Sequence, residues 1–211
     1  MLPRSRIFRA SAPEWRLMLV VALLVPVAWL LGTFPTAVLV AKSRGHNVMT
    51  EGSGNPGASN VARLAGWKWG FVVLLVDFAK GAIASGAGLA VGGRAAAFVL
   101  GTAAVVGHTF PLYRKGGKGV ATAGGALTVL YPLIAAALAV VWFVVARLLH
   151  KASVGSLLIV VLFPILVAVT GHALWEDIVV SALAVLIVAR HAGNIRRLLH
   201  RNEIDLDAGR N

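Results

Sequence analysis

The feature that most constrains this chain is the recurrence of apolar runs long enough to cross a bilayer. The first extends from about Leu17 to Ala41. At 1.5 Å of rise per residue, about 20 helical residues span the hydrocarbon core. Further runs lie near 67–91, 95–112, 120–149, 154–170 and 178–190. Of the 211 residues, 58% are hydrophobic and only 13% are charged, too little polar surface to cover a soluble domain of this length. The chain therefore reads as an all-α integral membrane protein. Its expected organisation is a basic N-terminal tail (1–16), one membrane-embedded domain (17–203) and a C-terminal tail (204–211). The first run is too long for the apolar region of a signal peptide and reads as a retained anchor.

Charge sets the expected topology. Lys and Arg number 20 against 8 Asp and Glu, for a formal charge of +12. On a membrane protein such an excess orients the loops and attracts anionic headgroups. Without a soluble basic domain, it does not point to nucleic acid. Cationic residues gather in four segments: 42–68, 114–118, 147–151 and the tail from Arg190. The connections near 92–94 and 171–177 carry one and none. Placing all four basic segments in the cytoplasm requires 120–149 to cross twice, folding back at Tyr131-Pro132. The expectation is a bundle of about seven transmembrane helices, including short half-helices, with cytoplasmic glycine-rich loops. The basic N-terminal tail (Arg4, Arg6, Arg9, Arg16) argues for the alternative of six spans.

Three polar segments interrupt this apolar background. In GSGNPGASNVAR (52–63), glycines let backbone amides approach a ligand closely, and the following helix start favours an anion. A plain capped loop is an equal reading of that segment alone. GHTFPLYRKGGKGVATAGG (107–125) sets Arg114, Lys115 and Lys118 among six glycines. Positive-inside placement accounts for the cations but not the glycines; a phosphate cradle accounts for both. The spacing is not that of a nucleotide-binding Walker A loop. RHAGNIRRL (190–198) puts His191 and Asn194 on one helical face, although by itself it reads as an interfacial basic helix. DFAKG (77–81) places Asp77 and Lys80 three apart inside a span, where they read as a structural ion pair. Ser153 and Ser156 read first as helix caps. His172 and Asp177 fit the H-x-x-x-x-D spacing of a large class of glycerolipid acyltransferases, but they stand on a short turn away from every glycine-rich loop. That match reads as chance. With no cysteine and no acidic cluster of ligand spacing, neither a metal nor a cofactor is expected.

Taken together and in this order, the three segments resemble the bacterial acyl-phosphate:glycerol-3-phosphate acyltransferase family. The resemblance rests on GSGNPGASNVAR, GHTFPLYRKGGKGVAT and RHAGNIRRL followed by Glu203, with DFAKG and SVGS (153–156) in support, and covers roughly residues 30 to 203. Ser59 stands where the family commonly has Thr, Ala192 where it has Arg, and Arg201 where it has Gly. The resemblance implies transfer of a fatty acyl group from acyl phosphate to the 1-hydroxyl of sn-glycerol 3-phosphate. The products are lysophosphatidic acid and inorganic phosphate, at the start of phospholipid synthesis. It implies a multi-pass protein of the bacterial inner membrane whose active site faces the cytoplasm. Nothing in the sequence decides the oligomeric state, and a monomer is compatible with it.

On this reading Ser53, Arg63 and Lys118 bind phosphate, helped by the Gly116, Gly117 and Gly119 amides. His191 and Asn194 orient glycerol 3-phosphate, and Ser153 supplies a further hydroxyl. Gly54, Asn55, Gly57, Asn60, His108, Lys115, Thr122 and Arg197 are expected to line the substrate site. Acyl phosphate is an activated anhydride with a stable leaving group, so positioning two anions matters more than acid catalysis. The base is either His191 or the substrate phosphate, and a Ser53 acyl-enzyme is a third route. The rival from another class is a transporter or channel for an anionic phosphorylated metabolite. It is weakened by the absence of an internal repeat.

Overall fold

The computed structural model describes residues 14–112 and 114–207. Most of the expected N-terminal tail and the last four residues lie outside that range. Among the described residues every regular element is helical: α1 (Glu14–Thr33), α2 (Thr36–Lys42), α3 (Ala58–Ala65), α4 (Trp67–Thr109), α5 (Val120–Leu130), α6 (Pro132–Leu149), α7 (Ala152–Val169), α8 (Leu174–Arg190) and α9 (Ala192–Leu199). Among the described residues four helical stretches are long and apolar enough to span a bilayer, and α8 with α9, bent by 57°, makes a fifth when the pair is counted as one span. Large apolar side chains such as Leu133, Val169 and Val185 are exposed along these helices, as expected where lipid is the solvent.

Pairs of small residues dictate how the helices meet. Helix α4 is interrupted at Gly92 and Gly93, and Gly93 takes φ 70°, a conformation that favours glycine. The chain reverses there. Asp77 Oδ1 comes within 3.8 Å of His108 Nδ1, whereas one straight helix would hold residues 77 and 108 about 46 Å apart. The two limbs correspond to the separate runs read near 67–91 and 95–112. A Cβ on Gly88 would collide with the Ala96 carbonyl, one on Gly81 with that of Thr122, and one on Gly125 with that of Phe78. Backbones thus touch across α4 and α5, a mode of association suited to a medium that supplies no hydrophobic drive between helices.

Helix α5 has 11 residues, about 16 Å of rise, and ends where Tyr131 precedes Pro132. Proline disfavours helical geometry in the residue before it and lacks the N–H to continue the ladder. Arg94 closes this end of the bundle. Its Nε and Nη2 donate to the two Glu176 oxygens at 2.7 and 2.6 Å, its Nη1 donates to the Leu130 carbonyl at 3.3 Å, and Tyr131 Oη donates to Glu176 at 2.5 Å. One clamp therefore joins the α4 reversal, the α5–α6 elbow and the start of α8. His172 packs its ring on Tyr131 at 4.8 Å, and Asp177 comes next at the same end. The H-x-x-x-x-D pair thus stands at the clamp, with the glycine-rich segments gathered elsewhere.

The α4–α5 contact has a direct test in detergent. Gly125→Ala should lower stability by about 1–3 kcal/mol through overpacking. Gly86→Ala, where no atom lies within 4 Å, should be neutral or stabilising by up to about 1 kcal/mol. Comparing the two melting temperatures separates packing from propensity.

Candidate active site

At the end of the bundle opposite the Arg94 clamp, three irregular segments come together. The first, 48–60, is knotted by Asn60. Its Oδ1 accepts from the Ser53 amide at 2.9 Å, and its Nδ2 donates to the Val48 and Glu51 carbonyls at 3.1 and 3.0 Å. Asn60 is fully buried, so the amide expected to meet substrate instead shapes the loop. Asn55 and Gly57 close the turn before α3, with the Gly57 amide donating to the Asn55 carbonyl at 2.9 Å. Ser53 is half-buried, and among the described residues its hydroxyl has no partner. Helix α3 delivers Arg63 to the interior. Its Nε and Nη2 donate to the carbonyls of Asp205 and Ile204 at 2.7 and 3.1 Å.

The second segment links α4 to α5. The Gly117 amide, read as a phosphate donor, donates to the His108 carbonyl at 3.1 Å. The Gly116 and Gly117 carbonyls accept from Arg190 Nη2 at 3.0 and 3.4 Å. A Cβ on Gly116 would collide with the His108 and Thr109 carbonyls, and one on Gly117 with the His108 ring. These two glycines therefore let the loop lie flat on the end of α4. His108 supports it from below, beside the buried Asp77–Lys80 pair, whose atoms approach to 2.6 Å. Lys115 reaches across to the Gly54 carbonyl at 3.1 Å and joins the first two segments.

Gly119, at φ 86°, turns the chain into α5. The first backbone bond of that helix runs from the Ala123 amide to the Gly119 carbonyl at 2.8 Å. The amides ahead of it belong to the part of a helix that finds no intrahelical acceptor. Thr122, in this first turn, is fully buried and its Oγ1 has no protein partner. Lys118 immediately precedes the turn. Among the described residues it makes no hydrogen bond or ion pair. Burial pulls its ammonium down to about 8 against the attraction of Glu203, and Arg197, Arg63 and Lys115 lower it further.

The third segment comprises the α8–α9 bend and the tail through Glu203. His191, almost fully buried at the bend, places Nδ1 2.8 Å from the Ile187 carbonyl. That contact assigns the proton to Nδ1 and leaves the Nε2 lone pair available. Lys118 is close enough to His191 for their charges to interact. Asn194 Nδ2 donates to Glu203 Oε1 at 2.5 Å, Ser153 Oγ to the same oxygen at 2.8 Å, and Arg197 Nε to Oε2 at 2.8 Å. Ser153 thus belongs to the site rather than capping α7, and Arg197 neutralises a protein carboxylate. Burial alone would raise the Glu203 carboxyl, but these three donors outweigh it and hold it below its ordinary value. Arg201, at the position where the resemblance leads us to expect Gly, takes φ 57°, a conformation that favours glycine.

Arg63, Lys118, Ser153, His191, Asn194 and Arg197 therefore converge around Glu203, with Ser53 and Gly54 on the adjoining loop, tied in by Lys115. Glu203 was legible as part of the third motif, yet its position suggested no role. The available signal was the first acid to follow a strongly basic helix. Glu203→Ala should destabilise the fold by about 3 kcal/mol, because it strands a guanidinium and two buried donors. Glu203→Gln, which keeps an acceptor oxygen, should cost less. Melting temperatures of the two variants test this order.

Comparison with known proteins identifies the family. Residues 22–201 match the sequence model of the family described as glycerol-3-phosphate acyltransferase. The chain is 34% identical over 188 residues to the glycerol-3-phosphate acyltransferase of Bacillus subtilis (strain 168), covering 88% of this chain and 97% of the relative. It is 40% identical over 189 residues to that of Pseudomonas syringae pv. syringae (strain B728a), covering 86% and 95%. Among solved structures it resembles PlsY (YgiH), an integral membrane glycerol 3-phosphate acyltransferase. For the glycerol 3-phosphate form the TM-score is 0.84 at 33% identity, over 88% of this chain and 95% of that one. The lysophosphatidic acid form gives a TM-score of 0.81. Carrying the three motifs in order on the same helical architecture, this chain belongs to the glycerol-3-phosphate acyltransferase family.

Proposed function

We propose that this acyltransferase takes its fatty acyl group from acyl phosphate and places it on the 1-hydroxyl of glycerol 3-phosphate. The products are lysophosphatidic acid and inorganic phosphate. The observation that carries this reading is Lys118, a half-buried ammonium without a partner among the described residues at the start of α5, beside Arg63 and His191. A desolvated cation left unpaired is costly unless an anion completes it. The unfilled amides of the first helical turn add to the attraction.

In the reaction the glycerol hydroxyl attacks the acyl carbonyl carbon, the bond from that carbon to the phosphate oxygen breaks, and phosphate leaves with the electron pair. Lys118 and Arg63 offset the charge that grows on the departing phosphate. Ser53 contributes a hydroxyl to the phosphate from the adjoining loop. The hydroxyl proton passes to Nε2 of His191 or to the departing phosphate. Asn194, held by Glu203, orients the acceptor, while the acyl chain stays among the helices. Ser53 lacks a bonded base, which disfavours an acyl-enzyme.

The membrane is read as the bacterial inner membrane, crossed seven times, with the site on the cytoplasmic side. Positive-inside placement supports this, because the segments at 42–68, 114–118, 147–151 and from Arg190 carry the Lys and Arg excess. The folding back at Tyr131-Pro132 supports the odd number of crossings.

Phosphate release from palmitoyl phosphate, measured with and without glycerol 3-phosphate, tests the assignment. Lys118→Ala should lower glycerol-3-phosphate-dependent kcat/KM by about 100- to 1000-fold. An unaltered rate would remove the cradle from the chemistry. The pH profile is a second test. Lys118 carries its charge below about 8 and loses it above, so kcat/KM should fall as the pH rises through that value. Lys118→Arg, charged to beyond about pH 12, should abolish that fall whatever its absolute rate.

A further inference from the structure

The segment 204–207 comes after the last recognised motif and lies beyond the matched residues 22–201. It has no regular structure, yet it is tied down along its length. Leu206 is 3% exposed, packed with Ala146 and Ala152 and flanked by Trp67 and Trp142. Its amide donates to the His150 carbonyl at 2.6 Å. The Asp205 carboxylate accepts from Lys151 Nζ at 2.5 Å, and Asp207 accepts from Trp67 Nε1 at 3.3 Å.

What this anchoring achieves is visible at Arg63. Two successive carbonyls, those of Ile204 and Asp205, accept from its Nη2 and Nε at 3.1 and 2.7 Å. The guanidinium forms no ion pair among the described residues; the Asp205 carboxylate acts on it only from a distance and is itself bonded to Lys151. A carboxylate in the same place would orient Arg63 and also cancel its charge. Neutral carbonyls orient it and leave the charge for a ligand, with the Nη1 donors unused among the described residues. The contrast with Arg197, whose charge is met by Glu203 at 2.8 Å, separates the two arginines by role.

We infer that residues 204–207 are a positioning strap, which holds the Arg63 guanidinium in register for substrate phosphate without neutralising it. This rests on the acyltransferase reading above. Leu206 and the Ile204 and Asp205 carbonyls act through Arg63 and touch no reacting atom.

A double-mutant cycle tests the strap. Chains lacking residues 204–211, carrying Arg63→Ala, or carrying both changes are compared for kcat, KM for glycerol 3-phosphate, Kd for inorganic phosphate and melting temperature. Loss of positioning should lower kcat/KM by about 100-fold, matching Arg63→Ala, with no further loss when the two are combined. A truncated chain within about threefold of wild type, or losses that multiply, would overturn the inference. A strap that merely stabilised the fold would lower the melting temperature and still penalise the Arg63→Ala background. If the truncated chain does not fold, Leu206→Ala, which loosens the anchor and keeps both carbonyls, takes its place in the cycle with the same criterion. Absence of turnover in the intact chain would overturn the acyltransferase reading instead. The phosphate-binding cycle then decides the strap by itself: non-additive losses of affinity support it, and multiplying ones sink it.

Discussion

The carboxylate of Glu203 is the interaction on which the arrangement of this site depends. A buried charge is tolerated only when donors surround it, and here Ser153 from α7, Asn194 and Arg197 from α9 supply them. Helix α7, 50 residues away, is thereby fixed to the same point as α9 and the tail. Once Arg197 is matched to Glu203, the remaining cations near it, Lys118 and Arg63, stay uncompensated. The site is thus positively charged because the acids nearest it, Glu203 and Asp205, are already engaged by Arg197 and Lys151. That is a suitable preparation for phosphate, which brings its own negative charge.

Around this point the bundle is assembled by close backbone approach. Gly81 against Thr122 and Gly125 against Phe78 seat α5 on α4, and the short α5 brings its N-terminal turn directly below the cradle. In water such contacts would be supplemented by burial of large side chains. In lipid, many of the large apolar residues face outward instead, and small residues carry the packing. The Arg94 clamp at the other end holds the reversals that α5 requires. The two ends divide the labour: one is a closed ion-pair clamp, and the other leaves Lys118 and the Thr122 hydroxyl without partners among the described residues.

Much of this was legible in the residues themselves. The apolar runs disclosed a helical membrane protein, the Tyr131-Pro132 pair marked the elbow, and Asp77 with Lys80 read correctly as an ion pair. The glycine-rich loops were found because their composition has no structural purpose in a bilayer span. What the residues concealed was direction. Asn60 and the Gly117 amide sit in motifs that invite a ligand, yet both close hydrogen bonds within the protein. An asparagine that knots its own loop and one that meets a substrate have the same letter and the same neighbours. Glu203 was hidden for a related reason: its partners lie 50 residues upstream at Ser153 and across the turn of α9, beyond the reach of local spacing.

The sequence by itself determined the medium, the helical class and the set of side chains able to bind phosphate, because hydrophobicity, charge and glycine content are properties of composition and order. Only the tertiary structure decided which of those groups remain free. Whether an amide, a guanidinium or an ammonium is available depends on what else reaches it. For Arg63 that is a carbonyl pair 141 and 142 residues away, and for Lys118 it is nothing in the described protein. Availability is a property of packing, and packing is settled when distant segments meet.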